Sequence, residues 1–182
     1  MPKPTFQPTV VQVVGYKNTG KTTVVCRLTE LLKQSGYTVA TMKHDAHDFE
    51  MDKEGTDTWC HRQAGADLTI ITSPHQTAIL QQRSTPLEQL IQAWGNVDFV
   101  LVEGFKTASY PKFILVKNEQ DIALVHTLEQ PIAIIAWPDM LETVSALKLE
   151  SLPTAPPTVA LDDLESMYQL LQAERNRLIT SS

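Results

Sequence analysis

The stretch Gly15-Tyr-Lys-Asn-Thr-Gly-Lys-Thr-Thr23 decides the fold, and it stands between an apolar run, Val10–Val14, and a helical pattern. It matches the spacing G-x-x-x-x-G-K-[ST], in which glycines let the backbone approach phosphate oxygens closely. Successive N–H groups of such a loop point at an anion, and the start of the following helix adds the positive end of its dipole. We therefore predict a nucleoside triphosphate site, in which Lys21 reaches the β and γ phosphates and Thr22 coordinates Mg²⁺.

The whole phosphate loop is included in this predicted site. Gly15, Gly20 and Thr23 are expected to shape the loop around Lys21. Two interpretations of Lys17 stay open: it reaches phosphate, as a second lysine does across a dimer in one subclass of these proteins, or it is a solvated loop lysine. The predicted nucleotide-binding residues of the loop are Gly15, Tyr16, Lys17, Asn18, Thr19, Gly20, Lys21, Thr22 and Thr23.

Strands alternate with helices along the chain, and most strands are continuous apolar runs. This pattern predicts an α/β fold, a three-layer P-loop NTPase fold with a mostly parallel sheet covered on both faces. Two strands joined by Ser73-Pro74 predict an antiparallel hairpin at one edge of that sheet. The predicted strands are Val10–Val14, Tyr37–Met42, Asp67–Thr72, Gln76–Gln82, Val97–Val102, Lys112–Val116 and Pro131–Ala136. The predicted helices are Thr22–Ser35, Thr58–Gln63, Leu87–Trp94 and Leu161–Arg177.

The chain of 182 residues is long enough for one well-buried domain and short for two. We predict a single nucleotide-binding domain over residues 1–182, with a core at about 10–150 and a C-terminal helix at about 161–178 that packs back onto it. A helical pattern also surrounds Cys26, which we expect to be buried like a small hydrophobic residue. The two cysteines, Cys26 and Cys60, suggest no disulfide framework.

Charge and hydropathy exclude several classes of function. The formal net charge is −6, which disfavours sequence-independent binding of nucleic acid. The N-terminal segment lacks the apolar region of a signal peptide, and no apolar run approaches the roughly 20 residues that span a bilayer. We therefore expect a cytoplasmic protein that associates with neither nucleic acid nor a membrane.

A P-loop protein needs a carboxylate near Mg²⁺ at the end of a buried strand. The run Val97–Gly104 supplies Asp98 at the start of its strand and Glu103 at the end, about 16 Å apart. Ligands of open α/β sheets lie beyond the carboxyl ends of the strands. Glu103 shares that edge with the phosphate loop if the two strands are parallel. We predict Glu103 as the metal-side carboxylate and Asp98 as an anchor at the strand start.

The polar loop Lys43–Asp57 leaves the second predicted strand at the same edge, and three interpretations of it stay open. It is a transition-metal site formed by His44, His47 and His61, a solvated acidic loop, or a switch-like loop beside the phosphates. In the switch-like interpretation, Lys43 and His44 meet phosphate. Asp45 then orients Mg²⁺ or water, which makes Asp45 a metal candidate and, with Lys21, a catalytic candidate.

Several motifs in this order resemble those of the family of molybdopterin-guanine dinucleotide biosynthesis adaptor proteins, MobB. The resemblance covers roughly residues 10 to 136, most of the chain. The motifs that carry it are Gly15–Thr23, Lys43-His-x-x-His47 with Phe49, Asp52-x-x-Gly55-x-Asp57-Thr58, His61-Arg62-x-Ala64-Gly65-Ala66 and Asp98-x-x-x-x-Glu103-Gly104.

This resemblance implies the activity and the partners. It implies a protein that binds GTP with Mg²⁺, hydrolyses GTP weakly at most and forms a homodimer. It also implies a role beside a MobA-like guanylyltransferase that joins GMP to molybdopterin, with molybdopterin itself a candidate ligand. No glutamine in the switch-like loop is placed to position water, which agrees with slow hydrolysis.

The residues themselves leave the nucleotide base open. No N-K-x-D motif follows a strand, since Lys117–Asp121 does not fit it, and this disfavours a regulatory GTPase switch. We predict that Asp139, in the loop after Pro131–Ala136, accepts hydrogen bonds from guanine. The alternative for Asp139 is an ordinary turn that opens the next helix. The alternative function is an ATP-dependent small-molecule kinase or ligase, which the lack of an arginine-rich lid disfavours.

Overall fold

The computed structural model describes residues 7–45, 48–94, 96–147 and 155–180. The chain forms two compact units, Met1–His44 with Ile91–Ser182 and, separately, Asp45–Leu90. The single nucleotide-binding domain predicted from sequence stays a prediction. The phosphate loop and Glu103 both belong to the first unit.

A six-stranded sheet forms the centre of the first unit. Its strands are β1 (Thr9–Val14), β2 (Val39–Lys43), β5 (Phe99–Glu103), β6 (Lys112–Val116), β7 (Pro131–Ala136) and β8 (Thr158–Ala160). The spatial order is β2-β5-β1-β6-β7-β8, and every neighbouring pair is parallel. The predicted parallel α/β architecture is therefore confirmed, and it places β5 and β6 on opposite sides of β1. The sequence pattern missed β8 because it has only three residues.

Helices cover both faces of this sheet, as predicted. Helix α1 (Lys21–Gln34) and helix α6 (Leu164–Thr180) pack on one face, where Leu28 and Leu32 meet Met167 and Leu171. Helices α4 (Ile122–Thr127) and α5 (Leu141–Ser145) pack on the other. Successive strand residues alternate between the two cores, because side chains of a strand point to opposite faces: Val13 lies in the first and Val14 in the second.

The second unit contains helix α2 (Asp57–Gln63) and the strands β3 (Leu68–Thr72) and β4 (Thr77–Gln81). Helix α3 (Leu87–Trp94) crosses the boundary between the two units, which falls after Leu90. The strands β3 and β4 form the predicted antiparallel hairpin, with Ile70 opposite Ile79. The hairpin forms a two-stranded sheet of its own, so its predicted place at an edge of the large sheet is corrected. A short turn fixes the pairing of the two strands with each other and does not fix what pairs with their outer edges.

Among the residues that the structure describes, no helix combines the length and apolar character needed to cross a lipid bilayer.

Candidate nucleotide site

The phosphate loop connects β1 to α1 through backbone shapes that require glycine. A Cβ atom on Gly15 would lie 2.6 Å from Thr19 Oγ1 and 3.2 Å from Leu115 Cβ, so a side chain does not fit there. Asn18 and Gly20 have left-handed backbone angles, with φ of 63° and 99°. Glycine adopts such angles without strain, and asparagine is among the few other residues that tolerate them. The loop therefore lies between a strand and a helix, in the position that the sequence predicted.

Lys21 folds back over the loop. Its Nζ donates a hydrogen bond of 2.6 Å to the carbonyl of Tyr16, and Thr19 Oγ1 donates to the same carbonyl at 3.0 Å. Burial lowers the pKa of Lys21, the Glu103 carboxylate raises it, and the nearby Lys106 and Lys43 lower it. The ammonium group of Lys21 thus lies among other charged groups at the mouth of the loop.

Glu103 and Thr22 meet at the carboxyl edge of the sheet. Thr22 Oγ1 lies 3.0 Å from both carboxylate oxygens of Glu103, which is 7% exposed. Strand β5 pairs in parallel with β1 and β2, and this register sets Glu103 beside both Val13 and Lys43. A threonine hydroxyl and a carboxylate are hard oxygen ligands of the kind that Mg²⁺ prefers. The residues present therefore fit the predicted ion.

Lys43 lies beside Thr22 and Glu103, because its Nζ is 3.4 Å from Glu103 Oε1. The next residue, His44, donates its backbone N–H to the Glu103 carbonyl at 2.9 Å. Its ring lies 4.7 Å from that of Phe105. Lys43 and His44 are thus placed at the edge predicted for them. Asp45 is the first residue of the second unit, and its predicted contact with the metal stays a prediction.

Two side chains that the sequence interpretation did not single out hold the phosphate loop from the β6 side. Trp137 Nε1 donates to the Thr19 carbonyl at 2.9 Å, and Lys117 Nζ donates to the Asn18 carbonyl at 3.2 Å. Lys117 Nζ also lies 4.5 Å from the centre of the Trp137 ring. Both follow a parallel strand directly, and that position in the sequence is the signal that would have identified them.

Asp121 gives the Lys117–Asp121 segment a structural role. Its Oδ2 accepts hydrogen bonds from the backbone N–H groups of Lys117 at 2.7 Å and Asn118 at 3.1 Å. Asp121 is 2% exposed, and with Asn118 it forms a capping box at the short helical turn before α4. The carboxylate thus fixes the backbone that presents Lys117 to the phosphate loop.

Asp139 lies in the 3₁₀ turn Pro138–Met140, directly after β7, and leads into α5. It is exposed, and its strand is parallel to β6, which in turn is parallel to β1. Asp139 is therefore at the carboxyl edge of the sheet, on the opposite side of β1 from Glu103. A contact with guanine stays a prediction.

Asp98 lies at the other end of β5, as predicted, and anchors the strand start. Its Oδ2 accepts hydrogen bonds from Thr38 N at 2.8 Å and Thr38 Oγ1 at 2.7 Å, while Arg175 Nη2 lies 2.8 Å from its Oδ1. These interactions connect β2, β5 and α6. Asp98 is thus part of the scaffold and separate from the phosphate edge.

Within the second unit, Asp52 organises the start of α2. Its Oδ1 accepts hydrogen bonds from Thr56 Oγ1 at 3.1 Å and Thr58 Oγ1 at 3.0 Å, and Arg62 Nη1 lies 3.4 Å from its Oδ2. His47, needed for the transition-metal interpretation, lies outside the described residues. The part of the chain that is described holds no cluster of three or more His, Cys, Asp or Glu side chains suited to a metal ion.

Comparison with known proteins agrees with this geometry. Residues 10–137 match the family described as Molybdopterin guanine dinucleotide synthesis protein B. A molybdopterin-guanine dinucleotide biosynthesis adapter protein of Haemophilus influenzae is 33% identical over 67% of this chain and 71% of its own length. A relative of the same description from Methanocaldococcus jannaschii is 37% identical over 64% of this chain, and the chain spans about half, 50%, of that relative's length.

Solved structures extend the likeness beyond the matched segment. The crystal structure of Bacillus subtilis MobB superposes with a TM-score of 0.70 at 29% identity, over 91% of this chain and 97% of that one. A MobB homologue from Bacillus stearothermophilus gives a TM-score of 0.69 at 28% identity, over 93% and 99%. The hydrogenase maturation factor HypB of Archaeoglobus fulgidus, at 15% identity and a TM-score of 0.51, shares the fold alone.

The family match covers the phosphate loop, Lys43, Glu103 and Trp137, which are the residues that form the site. The chain belongs to the molybdopterin guanine dinucleotide synthesis protein B family.

Proposed function

We propose that this protein is a GTP-binding adapter in the biosynthesis of molybdopterin guanine dinucleotide, acting as a homodimer beside a MobA-like guanylyltransferase. The observation that carries the proposal is the meeting of Thr22, Glu103 and Lys43 beside a complete phosphate loop. The names of the relatives support the adapter role. The family description names a guanine dinucleotide as the product, and a product that contains guanine supports GTP as the ligand.

The loop residues have distinct roles in this proposal. Backbone N–H groups between Gly15 and Thr23 surround the phosphates, and Lys21 exchanges the Tyr16 carbonyl for phosphate oxygens. Thr22 and Glu103 are the residues that would hold Mg²⁺, which would neutralise charge on the phosphates. Thr22 and Glu103, which now contact each other, would then both direct oxygen atoms to the metal.

Hydrolysis of GTP by the isolated protein is expected to be slow. Fast phosphoryl transfer needs a group that positions the attacking water and a cation that stabilises the transition state. Lys43 and Lys21 supply charge near the loop, but the described residues that directly follow β2 and β5, 44–45 and 104–110, include no glutamine. Several turnovers per second by the protein alone would contradict this part of the proposal.

The deciding experiment is a calorimetric titration of the purified protein with GTP and with ATP, each with Mg²⁺. We expect tighter binding of GTP, and loss of most of that affinity in Lys21→Ala. Lys33→Ala, which removes an exposed lysine from the last turn of α1, is the matched control and should bind as the wild type does. A preference for ATP would instead favour a small-molecule kinase or ligase.

The metal is tested by repeating the GTP titration with and without Mg²⁺ on two Thr22 variants. Thr22→Ser keeps the hydroxyl and should keep the increase in affinity that Mg²⁺ gives. Thr22→Val has nearly the same shape without the hydroxyl and should lose that increase. Equal Mg²⁺ dependence in both variants would remove Thr22 from the metal site.

The adapter role needs its own measurement. A purified guanylyltransferase of the same pathway should co-elute with this protein in size-exclusion chromatography, where light scattering also reports whether this chain is a dimer. Absence of a complex with and without GTP would overturn the adapter role and leave nucleotide binding standing.

A further inference from the structure

Lys106 contacts the phosphate loop from the end of β5. Its Nζ lies 4.2 Å from the centre of the Tyr16 ring, and Tyr16 is the second residue of that loop. Lys106 comes three residues after Glu103, so it leaves the sheet at the same edge as the predicted metal ligand. A lysine held on an aromatic ring by a cation–π contact is weakly bound compared with a lysine on an anionic oxygen.

The backbone before Lys106 is held in an unusual shape. Gly104 and Phe105 both have left-handed angles, with φ of 92° and 50°. Gln12, on β1, donates from Nε2 to the carbonyls of Gly104 at 3.1 Å and Phe105 at 2.6 Å. The N–H of Gly104 donates to the Val13 carbonyl at 3.1 Å. Glycine adopts such an angle without strain, but a phenylalanine keeps it only where the surroundings enforce it, and such strain is found at functional sites.

Lys106 is also close to the other lysines of the site. It is one of the charges that lower the pKa of Lys21, together with Lys43. Lys43, at the end of β2, has its Nζ 3.4 Å from Glu103 Oε1, so lysines that end or follow β1, β2 and β5 lie at one edge of the sheet. Like charges repel one another, and a bound polyanion relieves the repulsion.

The order of the sheet decides which part of a nucleotide Lys106 faces. Strand β5 lies on one side of β1, while β6 and β7, which lead to Lys117 and Asp139, lie on the other. The phosphate loop runs between these two sides. If the base lies beyond β6 and β7, the terminal phosphate lies towards Glu103 and the segment that ends at Lys106.

We propose that Lys106 leaves the Tyr16 ring on nucleotide binding and contacts the terminal phosphate, so that it distinguishes a triphosphate from a diphosphate. This assignment rests on the proposed function, because it requires a nucleotide in the phosphate loop. The left-handed backbone of Phe105, whose carbonyl accepts a hydrogen bond from Gln12, sets the direction in which Lys106 leaves the sheet.

The test compares the affinities of a non-hydrolysable GTP analogue, with an imido group between the β and γ phosphates, and of GDP, both with Mg²⁺. We expect Lys106→Met to weaken binding of the analogue about tenfold and to leave GDP binding within about twofold. Lys106→Gln should give the same result by an independent change, and Lys106→Arg should keep most of the preference for the triphosphate.

Lys117→Met is the matched control, because Lys117 also contacts the loop but from the β6 side. It should weaken both nucleotides by the same factor. An unchanged ratio of the two affinities in Lys106→Met, with wild-type protein that binds nucleotide, would overturn the assignment alone. Wild-type protein that binds neither nucleotide would overturn the proposed function and the assignment of Lys106 with it.

Discussion

The indole N–H of Trp137 donates a hydrogen bond of 2.9 Å to the carbonyl of Thr19, which joins the loop after β7 to the centre of the phosphate loop. Thr19 is 2% exposed, so its carbonyl depends on a protein partner to remain paired. The phosphate loop is therefore shaped by its own glycines and also by a side chain that is 118 residues away in sequence.

Trp137→Phe tests this relationship because phenylalanine keeps an aromatic ring and removes the donor. Loss of one buried hydrogen bond should weaken nucleotide binding by about 1 kcal/mol, roughly five- to tenfold, through a less ordered loop. Calorimetric titration with GTP and Mg²⁺ measures it. Trp94→Phe, at a tryptophan that is 53% exposed, is the control and should bind as the wild type does. An affinity of Trp137→Phe equal to that of the control would show that the hydrogen bond does not shape the loop.

A second prediction separates backbone strain from crowding at two glycines of the first unit. Gly104 and Gly36 have similar left-handed angles, with φ of 92° and 85°. A Cβ on Gly104 would lie 3.2 Å from the His44 carbonyl oxygen, whereas a Cβ on Gly36 would meet no atom within 4 Å. Each change to alanine should lower the free energy of unfolding by about 1 kcal/mol through strain alone.

Gly104→Ala should therefore lower the free energy of unfolding by roughly 1 kcal/mol more than Gly36→Ala does, because the His44 backbone must move. Urea denaturation followed by circular dichroism gives both values. Equal losses in the two variants would mean that the His44 backbone moves aside without a free-energy cost. The requirement for glycine at position 104 would then come from its backbone angle alone.

A third prediction concerns acid stability and Asp98. A hydrogen bond from the Thr38 backbone N–H lowers the pKa of Asp98, burial opposes this, and the Thr38 hydroxyl and Arg175 lower the pKa further. Because the folded pKa lies below the ordinary value of 3.8, the ionised carboxylate stabilises the fold above that value. This stabilisation is lost as the pH falls through the folded pKa.

Asp98→Asn should lower the free energy of unfolding at pH 7 by about 2 kcal/mol, since the interactions with Thr38 and Arg175 are charge-assisted. The loss should shrink as the pH falls below about 4, because the carboxyl group of the unfolded chain takes up its proton before that of the folded protein. Urea titrations between pH 7 and pH 3 measure the difference. Asp162→Asn, at an exposed aspartate, is the control. A constant difference across this range would contradict the role given to the ionised carboxylate.

The parts of the site that follow from strand order were predictable, and the individual side-chain contacts between distant segments were not. Glu103 and the phosphate loop could be placed together because parallel strands bring their carboxyl ends to one edge. Trp137, Lys117 and Gln12 act on the loops through contacts between residues far apart in sequence, which periodicity does not encode. Cys26, expected to be buried, is exposed because it lies two residues after Val24 and so faces away from the core.

The final prediction concerns the base and Asp139. A carboxylate accepts hydrogen bonds from N1–H and the 2-amino group of guanine, whereas adenine offers neither at those positions. Asp139→Ala should therefore reduce the affinity for GTP and leave that for ATP unchanged, so that the ratio of the two falls towards one. The same calorimetric titration as for the wild type measures it.

Asp139→Asn is a second test of the guanine contact, because it exchanges one hydrogen-bond acceptor for a donor. The amide group of asparagine can donate to the 2-oxo group that xanthine has in place of the 2-amino group. The variant should lose affinity for GTP and gain it for xanthosine triphosphate, by about tenfold each for one hydrogen bond broken and one formed. An unchanged preference in both variants would return Asp139 to the role of an ordinary residue in the turn that opens α5, and the guanine contact would have to come from another part of the β7 edge.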